Sequence, residues 1–325
     1  MNETILQTEN LSKTFTSGKG KKKKDVEAVK SVSLEVKHGE IFGFLGPNGA
    51  GKTTTLNMLT TLLAPTNGKA MVAGFDLLAN PKKVREQIGY VSQAGGADTF
   101  ANAYDNLVLQ ARLYGIPKTE ATKKAEELVN RFQMSDFAQR EASTYSGGQK
   151  RRLELALGIV HQPKLLFLDE PTTGLDPQSR AYFWEEIARL KNDDMTIFLT
   201  THYLEEADNL CDRVAIIDHG VIVALDTPLE LKRQTGGESI AVDFANEKDT
   251  ERAKAVMGNM QFIQKIFMQD NKLYLFVQNG ESLIAEVLRI LDKENISILT
   301  IGFSRPSLDD VFLQKTGRSL REEKN

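Results

Sequence analysis

Residues 41–53 read IFGFLGPNGAGKT. An apolar run of strand length breaks into a glycine-rich turn, and the next stretch, KTTTLNMLTTLL, reads as a helix. Gly46, Pro47, Asn48, Gly49, Ala50, Gly51, Lys52 and Thr53 fill the pattern G-x-x-x-x-G-K-[ST] in the strand–loop–helix setting that the pattern demands. Its glycines let backbone N–H groups close on phosphate oxygens. The lysine places a point charge on the β and γ oxygens, and the threonine hydroxyl suits Mg2+. The stretch therefore predicts a phosphate-binding loop on an open α/β sheet.

Outward from this loop, apolar strands alternate with helices. KLLFLD (164–169) precedes PTTGLDP, a helix with Trp184 follows, and MTIFLTT (195–201) leads into the helix YLEEADNLC. This alternation predicts an α/β core with a parallel sheet, and Trp184 with its apolar stripe is read as core. Upstream, ILQTENLSKTF and AVKSVSLEV alternate apolar and polar positions, as strands of a half-exposed sheet do. The lysine-rich loop between them, Lys19 to Lys24, reads as a solvated hairpin turn. Residues 102–142 carry apolar positions at helical spacing, and the texture changes at QTGGES near residue 235. From there the order β-α-β-β-α-β suggests a small ferredoxin-like domain. The expected organisation is an ATPase-type domain over 1–235, with a helical subdomain at about 94–145, and an α+β accessory domain over 236–325.

Composition narrows the function. The 325 residues hold 41 basic and 44 acidic side chains, a formal net charge of −3, so a general nucleic-acid-coating role has no support. A single cysteine, Cys211, excludes a disulfide framework within the chain and fits a reducing compartment. No apolar run approaches the roughly 18–20 residues that span a bilayer. The N-terminal stretch lacks the charged-then-apolar profile of a secretion signal. Any membrane role is expected to come through a partner.

Four more residues carry chemistry. Asp169 ends the strand KLLFLD and Glu170 follows it. Two acids at a strand end are often a solvated turn, but beside a phosphate loop the first is expected on the metal and the second as the base for a water, a role worth ~10²–10⁴-fold. His202 closes FLTTH at a strand end, where phosphate contacts gather in open α/β sheets. Gln93 follows the strand IGYVSQ and by itself is a loop residue. Finally, YSGGQKRR (145–152) places a serine and a glycine pair at a helix start, a second anion site in one chain.

Taken in order, the phosphate loop, Gln93, YSGGQ, LLFLDEP, GLD (174–176) and His202 resemble the motifs of ABC-type ATPases over residues ~1–235. The wording YSGGQKRRLELA and LFLDEPTTGLDP, and more loosely the tail SLDDVFLQKTGR, is similar to the drug-exporter subgroup named for daunorubicin resistance. Tyr145 stands where the commonest signature has leucine, as in that subgroup. The resemblance implies a mixed-sheet core with an antiparallel β-subdomain and a helical subdomain. It implies ATP as substrate, with Lys52, Thr53 and Thr54 on its phosphates and Mg2+ held by Thr53, Gln93 and Asp169. Glu170 is then the base, His202 the γ-phosphate contact and Phe15 the aromatic stacked on adenine. Ser146, Gly147, Gly148 and Gln149 meet the nucleotide of a second copy placed head to tail, with Asp176 at the same interface. The implied partners are an integral membrane permease and that second copy, or a related ATPase subunit. The implied location is the inner face of the cell membrane. Segment FANAYDNL is expected near the permease contact, with Asp105 or Asn106 otherwise a helix-start residue.

Two other classes have less support in the sequence. A soluble ABC ATPase acting on DNA or ribosomes would carry a long coiled-coil insertion, zinc-binding cysteines or a second phosphate loop, none of which is in the sequence. A regulatory role for residues 236–325, lengthening or tuning the homodimer interface, rests on their domain order alone.

Overall fold

The computed structural model describes residues 3–17, 24–235, 237–278 and 280–318. The lysine-rich loop lies outside them, except for the backbone of Lys24. Packing divides the chain into two compact units, residues 1–222 and 223–325. No helix among the described residues is long and apolar enough to cross a membrane.

The first unit is built on a sheet in which the strands run β5-β4-β1-β2-β10-β9-β3-β8-β7-β6. One half is antiparallel: β1 (Thr4–Ser17) pairs with β2 (Lys24–Lys37) and with β4 (Asn67–Val72), which pairs with the short β5 (Phe75–Asp76). The other half is parallel. Here β3 (Ile41–Leu45) lies between β8 (Thr196–Thr201) and β9 (Arg213–Asp218), and β7 (Leu165–Asp169) joins β8 to β6 (Ile88–Val91). The strand β10 (Val221–Asp226) begins in the first unit, where Val221 pairs with Ser31. Strands β3, β7 and β8 are buried along their whole length, which is why they read as unbroken apolar runs rather than alternating ones.

An aromatic ladder fixes the register of these central strands. Phe198 of β8 lies opposite Phe42 of β3 and Phe167 of β7, with ring centroids 5.5 Å away in each case, and Phe44 is 5.6 Å away. All four rings are fully buried. Slipping one strand by a residue would turn these rings to the opposite face, so the ladder sets which strand ends meet.

The helical subdomain pairs α3 (Ala103–Leu113) with α4 (Lys118–Arg131) through small buried faces, Ala103, Leu107 and Ala111 against Ala121, Ala125 and Val129. Asn102, not Asp105 or Asn106, caps α3, its side chain accepting from Asp105 N. Asn106 is buried instead. Its amide accepts from Asp98 N at 2.7 Å and donates to Asp98 O at 3.0 Å, tying the preceding loop down. Trp184, on α6 (Pro177–Asn192), is half-buried rather than core. Its indole N–H donates to Glu206 Oε1 at 3.1 Å, the partner that a partly buried indole needs.

The second unit holds β11 (Glu238–Phe244), α9 (Glu247–Met257), β12 (Ile263–Gln269), β13 (Lys272–Val277), α10 (Gly280–Lys293) and β14 (Ile298–Ser304), so the β-α-β-β-α-β order is present. Its sheet runs β12-β13-β11-β14 with every pairing antiparallel. Ile240, Val242, Leu273 and Leu275 on one face pack with Met257 of α9 and Val287 and Leu291 of α10. Two short helices, α8 (Pro228–Arg233) and α11 (Leu308–Thr316), also pack together in this unit.

Phe198→Ala is expected to destabilise the first unit by about 3–5 kcal/mol, and Phe198→Leu by less than half of that. Urea unfolding followed by Trp184, the single tryptophan, checks it. A loss below about 1 kcal/mol for the alanine variant would contradict a register held by this ladder.

Candidate functional site

The parallel half of the sheet delivers its loops to one edge. Gly46 follows β3, Glu170 follows β7, His202 follows β8, and Gln93 lies just beyond β6. Since β3, β8, β7 and β6 are neighbours in that order, residues up to 156 positions apart in sequence reach one place.

The phosphate loop is shaped by backbone crowding. A Cβ on Gly46 would lie 2.3 Å from Ile217 O, and Gly51 has φ +106° with a would-be Cβ 2.6 Å from Ala28 O. Neither position admits a side chain. Gly51 is the N-cap of α1 (Lys52–Leu59), and no side chain caps that helix. Its first-turn N–H groups are thus left for an anion, which the positive end of the helix also favours. This cradle fits a phosphate chain.

Lys52 is buried with its ammonium turned inward. Nζ donates to Gly46 O (2.8 Å) and Pro47 O (3.0 Å), and lies 3.1 Å from Glu170 Oε1. Glu170 gathers the rest of the cluster. Its Oε2 accepts from Gln93 Nε2 and Thr173 Oγ1, each at 3.3 Å, and His202 Nδ1 lies 3.1 Å away. Burial pushes the Glu170 carboxyl up, but His202 and the Lys52 charge outweigh it and hold the pKa at about 2. The sign follows: stability drawn from ionised Glu170 is complete above its ordinary 4.5 and fades as pH falls toward about 2.

Asp169 is placed for a cation. Its Oδ1 accepts from Thr200 Oγ1 (2.6 Å) and Thr53 Oγ1 (3.3 Å). Burial raises its pKa despite both hydroxyls, and the neighbouring Glu170 adds to the rise. A buried carboxylate beside a threonine hydroxyl, with the Gln93 amide on the adjacent Glu170, offers oxygen donors of the kind that hard cations take, so the residues fit Mg2+. Thr54 follows on the first turn of α1, half-buried.

Phe15 and the helix-start residues stand apart from this cluster. Phe15 is 43% exposed on β1, with the Lys13 ammonium 5.4 Å from its ring centroid, and pairs with Val26, two residues from the Ala28 that abuts Gly51. Ser146 caps α5 (Gly147–Ile159) in a reciprocal box. Gln149 N donates to Ser146 Oγ (3.3 Å), and Ser146 N to Gln149 Oε1 (3.0 Å). Gln149 is thereby occupied within its own helix. Gly148 has a steric reason beyond any phosphate, since a Cβ there would lie 2.7 Å from Ser179 Oγ. Asp176 caps α6, accepting from Ser179 N (2.9 Å) and Ser179 Oγ (2.6 Å). Ser146 and Gly147 remain exposed. Tyr145 is buried edge-on against Phe137, ring centroids 4.9 Å apart, and its hydroxyl donates to Arg140 O.

Sequence reading passes over Thr200, which donates to Asp169 and accepts from Glu170 N (3.0 Å). It also passes over Thr173. No motif marks a threonine that acts across strands.

A phosphate cradle, a buried lysine, paired strand-end acids and a strand-end histidine on one sheet edge describe an ATP-hydrolysing site, and the relatives agree. Residues 29–173 match the ABC transporter family, and residues 227–316 match the C-terminal domain of ATP-binding proteins like DrrA1-3. The doxorubicin resistance ATP-binding protein DrrA of Mycobacterium tuberculosis is 40% identical over 304 residues, 93% of this chain and 91% of that protein. The chain belongs to the ABC transporter ATP-binding family. The linearmycin resistance ATP-binding protein LnrL of Bacillus subtilis is 33% identical over 98% of this chain and 100% of that protein. Among solved structures, an ATP-binding subunit of an ABC transporter superposes with TM-score 0.61 at 27% identity, covering 71% of this chain and 93% of that one. A dimeric ATP-binding cassette in a post-hydrolysis state bound to ADP and Pi gives 0.63 at 25% identity, covering 69% and 98%. The chain is an ABC-type ATPase.

Lys52→Ala is expected to weaken Mg-ATP binding by at least about tenfold, since a charged contact to phosphate is worth ~1.5–3 kcal/mol. Titration with a fluorescent ATP analogue reads it. Unchanged affinity would remove Lys52 from the phosphate site.

Proposed function

We propose that this chain is the ATPase subunit of an ABC exporter, which pairs head to tail with a second copy around two Mg-ATP and drives a separate membrane permease. The observation that carries the reading is the convergence of Lys52, His202 and Gln93 on the Glu170 carboxylate beside an uncapped helix start. The resistance proteins to which the chain is similar favour export of a small toxic compound. The location this implies is the inner face of the cell membrane, held there by the permease.

Thr53, Asp169 and Gln93 are the residues that would hold Mg2+, which supplies charge neutralisation on the phosphates when bound. The chain's own groups do the remaining work. Lys52 leaves the Gly46 and Pro47 carbonyls for the phosphate oxygens, and His202 turns to the γ-phosphate. Both moves strip Glu170 of the partners that hold its pKa at about 2. Burial then raises the carboxyl, and the anion that was an ion-pair partner becomes a base able to take a proton from the attacking water. Substrate binding and base activation are thus one event. Ser146 and Gly147, exposed at the start of α5, offer a hydroxyl and free backbone to the γ-phosphate held by the second copy. Phe15 stacks on adenine, a contact worth ~1–3 kcal/mol.

Glu170→Gln is expected to slow hydrolysis by at least ~10²-fold while Mg-ATP still binds. Sedimentation velocity should then show the mass doubling only with Mg-ATP present. Turnover near that of the unmodified chain would remove Glu170 from the base role, and a nucleotide-independent mass would remove the ATP-clamped dimer.

A further inference from the structure

Helix α5 carries, one turn beyond Ser146, a residue that no sequence pattern assigns. Arg151 is 6% exposed. A guanidinium offers five N–H donors in a rigid planar fork, and Arg151 makes five hydrogen bonds. Nε donates to Pro171 O (2.8 Å). One terminal nitrogen donates to Ser92 O (2.9 Å) and Glu154 Oε2 (2.6 Å). The other donates to Gln93 O (3.5 Å) and Glu170 O (3.3 Å). Four of these acceptors are backbone carbonyls, two from the loop carrying Gln93 and two from the loop carrying Glu170.

The Glu170 backbone explains why such a clamp matters. Its φ is +44°, in the left-handed region that a long side chain keeps only when its surroundings impose it. Thr200 holds the N–H of Glu170 through its carbonyl (3.1 Å) and hydroxyl (3.0 Å), from β8. Arg151 holds the C=O from α5. The Gln93 loop is braced by Arg151 together with Glu154: a Cβ on Gly95 would lie 2.2 Å from Glu154 Oε1, so the loop rests on the carboxylate that neutralises Arg151.

We propose that Arg151 is a positioning residue for hydrolysis. It holds the Glu170 peptide and the Gln93 loop in one fixed relation to the helix that begins at Ser146, so that displacement of any one of the three is transmitted to the others. The proposal rests on the reading of Glu170 as the base, and deepens it. A lysine would keep the charge beside Glu154, but its single nitrogen cannot span carbonyls of two loops.

The test compares full-length Arg151→Lys, Glu170→Gln and the unmodified chain, each shown by its melting temperature to be folded under assay conditions. Arg151→Lys is expected to lower kcat by about 10–100-fold with KM for Mg-ATP changed less than about threefold. It should also retain unhydrolysed ATP through gel filtration, as is expected of Glu170→Gln. A merely structural arginine would not produce that trapped species. Normal kcat in Arg151→Lys beside an inactive Glu170→Gln overturns the proposal alone. Parallel loss of binding and turnover overturns it as well. Normal turnover in Glu170→Gln overturns the base reading and the proposal with it. If Arg151→Lys melts below the assay temperature, Glu154→Gln takes its place, with an expected kcat loss of about 3–10-fold at constant KM. An unchanged kcat there overturns the proposal.

Discussion

A lysine and a glutamate, Lys52 and Glu170, face each other at 3.1 Å with side chains 4% and 8% exposed, and the rest of the first unit is arranged to bring them there. Burying an isolated charge is costly, and removing one partner of such a pair costs about 3–5 kcal/mol. Each of the two is therefore tolerated because of the other. The pairing also sets the chemistry. In the function proposed here Lys52 meets a phosphate and Glu170 a water, and in the structure the two groups face each other.

The sheet makes this opposition possible. Strand β3 supplies the phosphate loop and β7 the glutamate, with β8 between them supplying Thr200 and His202. The Phe198 ladder locks that register in the layer beneath, so the positions of the charged groups are inherited from hydrophobic packing. Thr200 connects the two levels, holding the side chain of Asp169 and the backbone of Glu170 from one strand. The ends of α5 and α6 follow another logic. Ser146 and Asp176 each cap their own helix, which orients these helix starts without reference to the local phosphate loop.

What could be read from the sequence was local. The phosphate loop, the strand-end acids and the alternation of strands and helices are encoded in stretches of a dozen residues or fewer, where periodicity and turn chemistry act directly. The β-α-β-β-α-β order of the second unit was legible for the same reason. Resemblance adds Gln93 and Phe15, each unremarkable alone, and sharpens His202, which its strand-end position already marks. Contacts that join distant strands were not legible: Arg151 reads as one of two adjacent arginines, and Thr200 as one of two threonines before a histidine. S-G-G-Q places Gln149 at a nucleotide by resemblance, and a serine followed three residues later by glutamine is also a capping box, which Gln149 completes here. The change of texture at QTGGES marks a turn, while the packing division falls at Ile222/Val223. The short helix α8, upstream of the turn, packs with α11 in the second unit.

In the mechanism proposed here, nucleotide binding and base activation are the same displacement. A structure of this chain with Mg2+ and a non-hydrolysable ATP analogue tests it through one distance, Lys52 Nζ to Glu170. Nζ is expected to leave the Gly46 and Pro47 carbonyls for the phosphates, and the pair to open beyond the about 4 Å of an ion pair. An analogue seated on α1 with the pair still closed at 3.1 Å would contradict it.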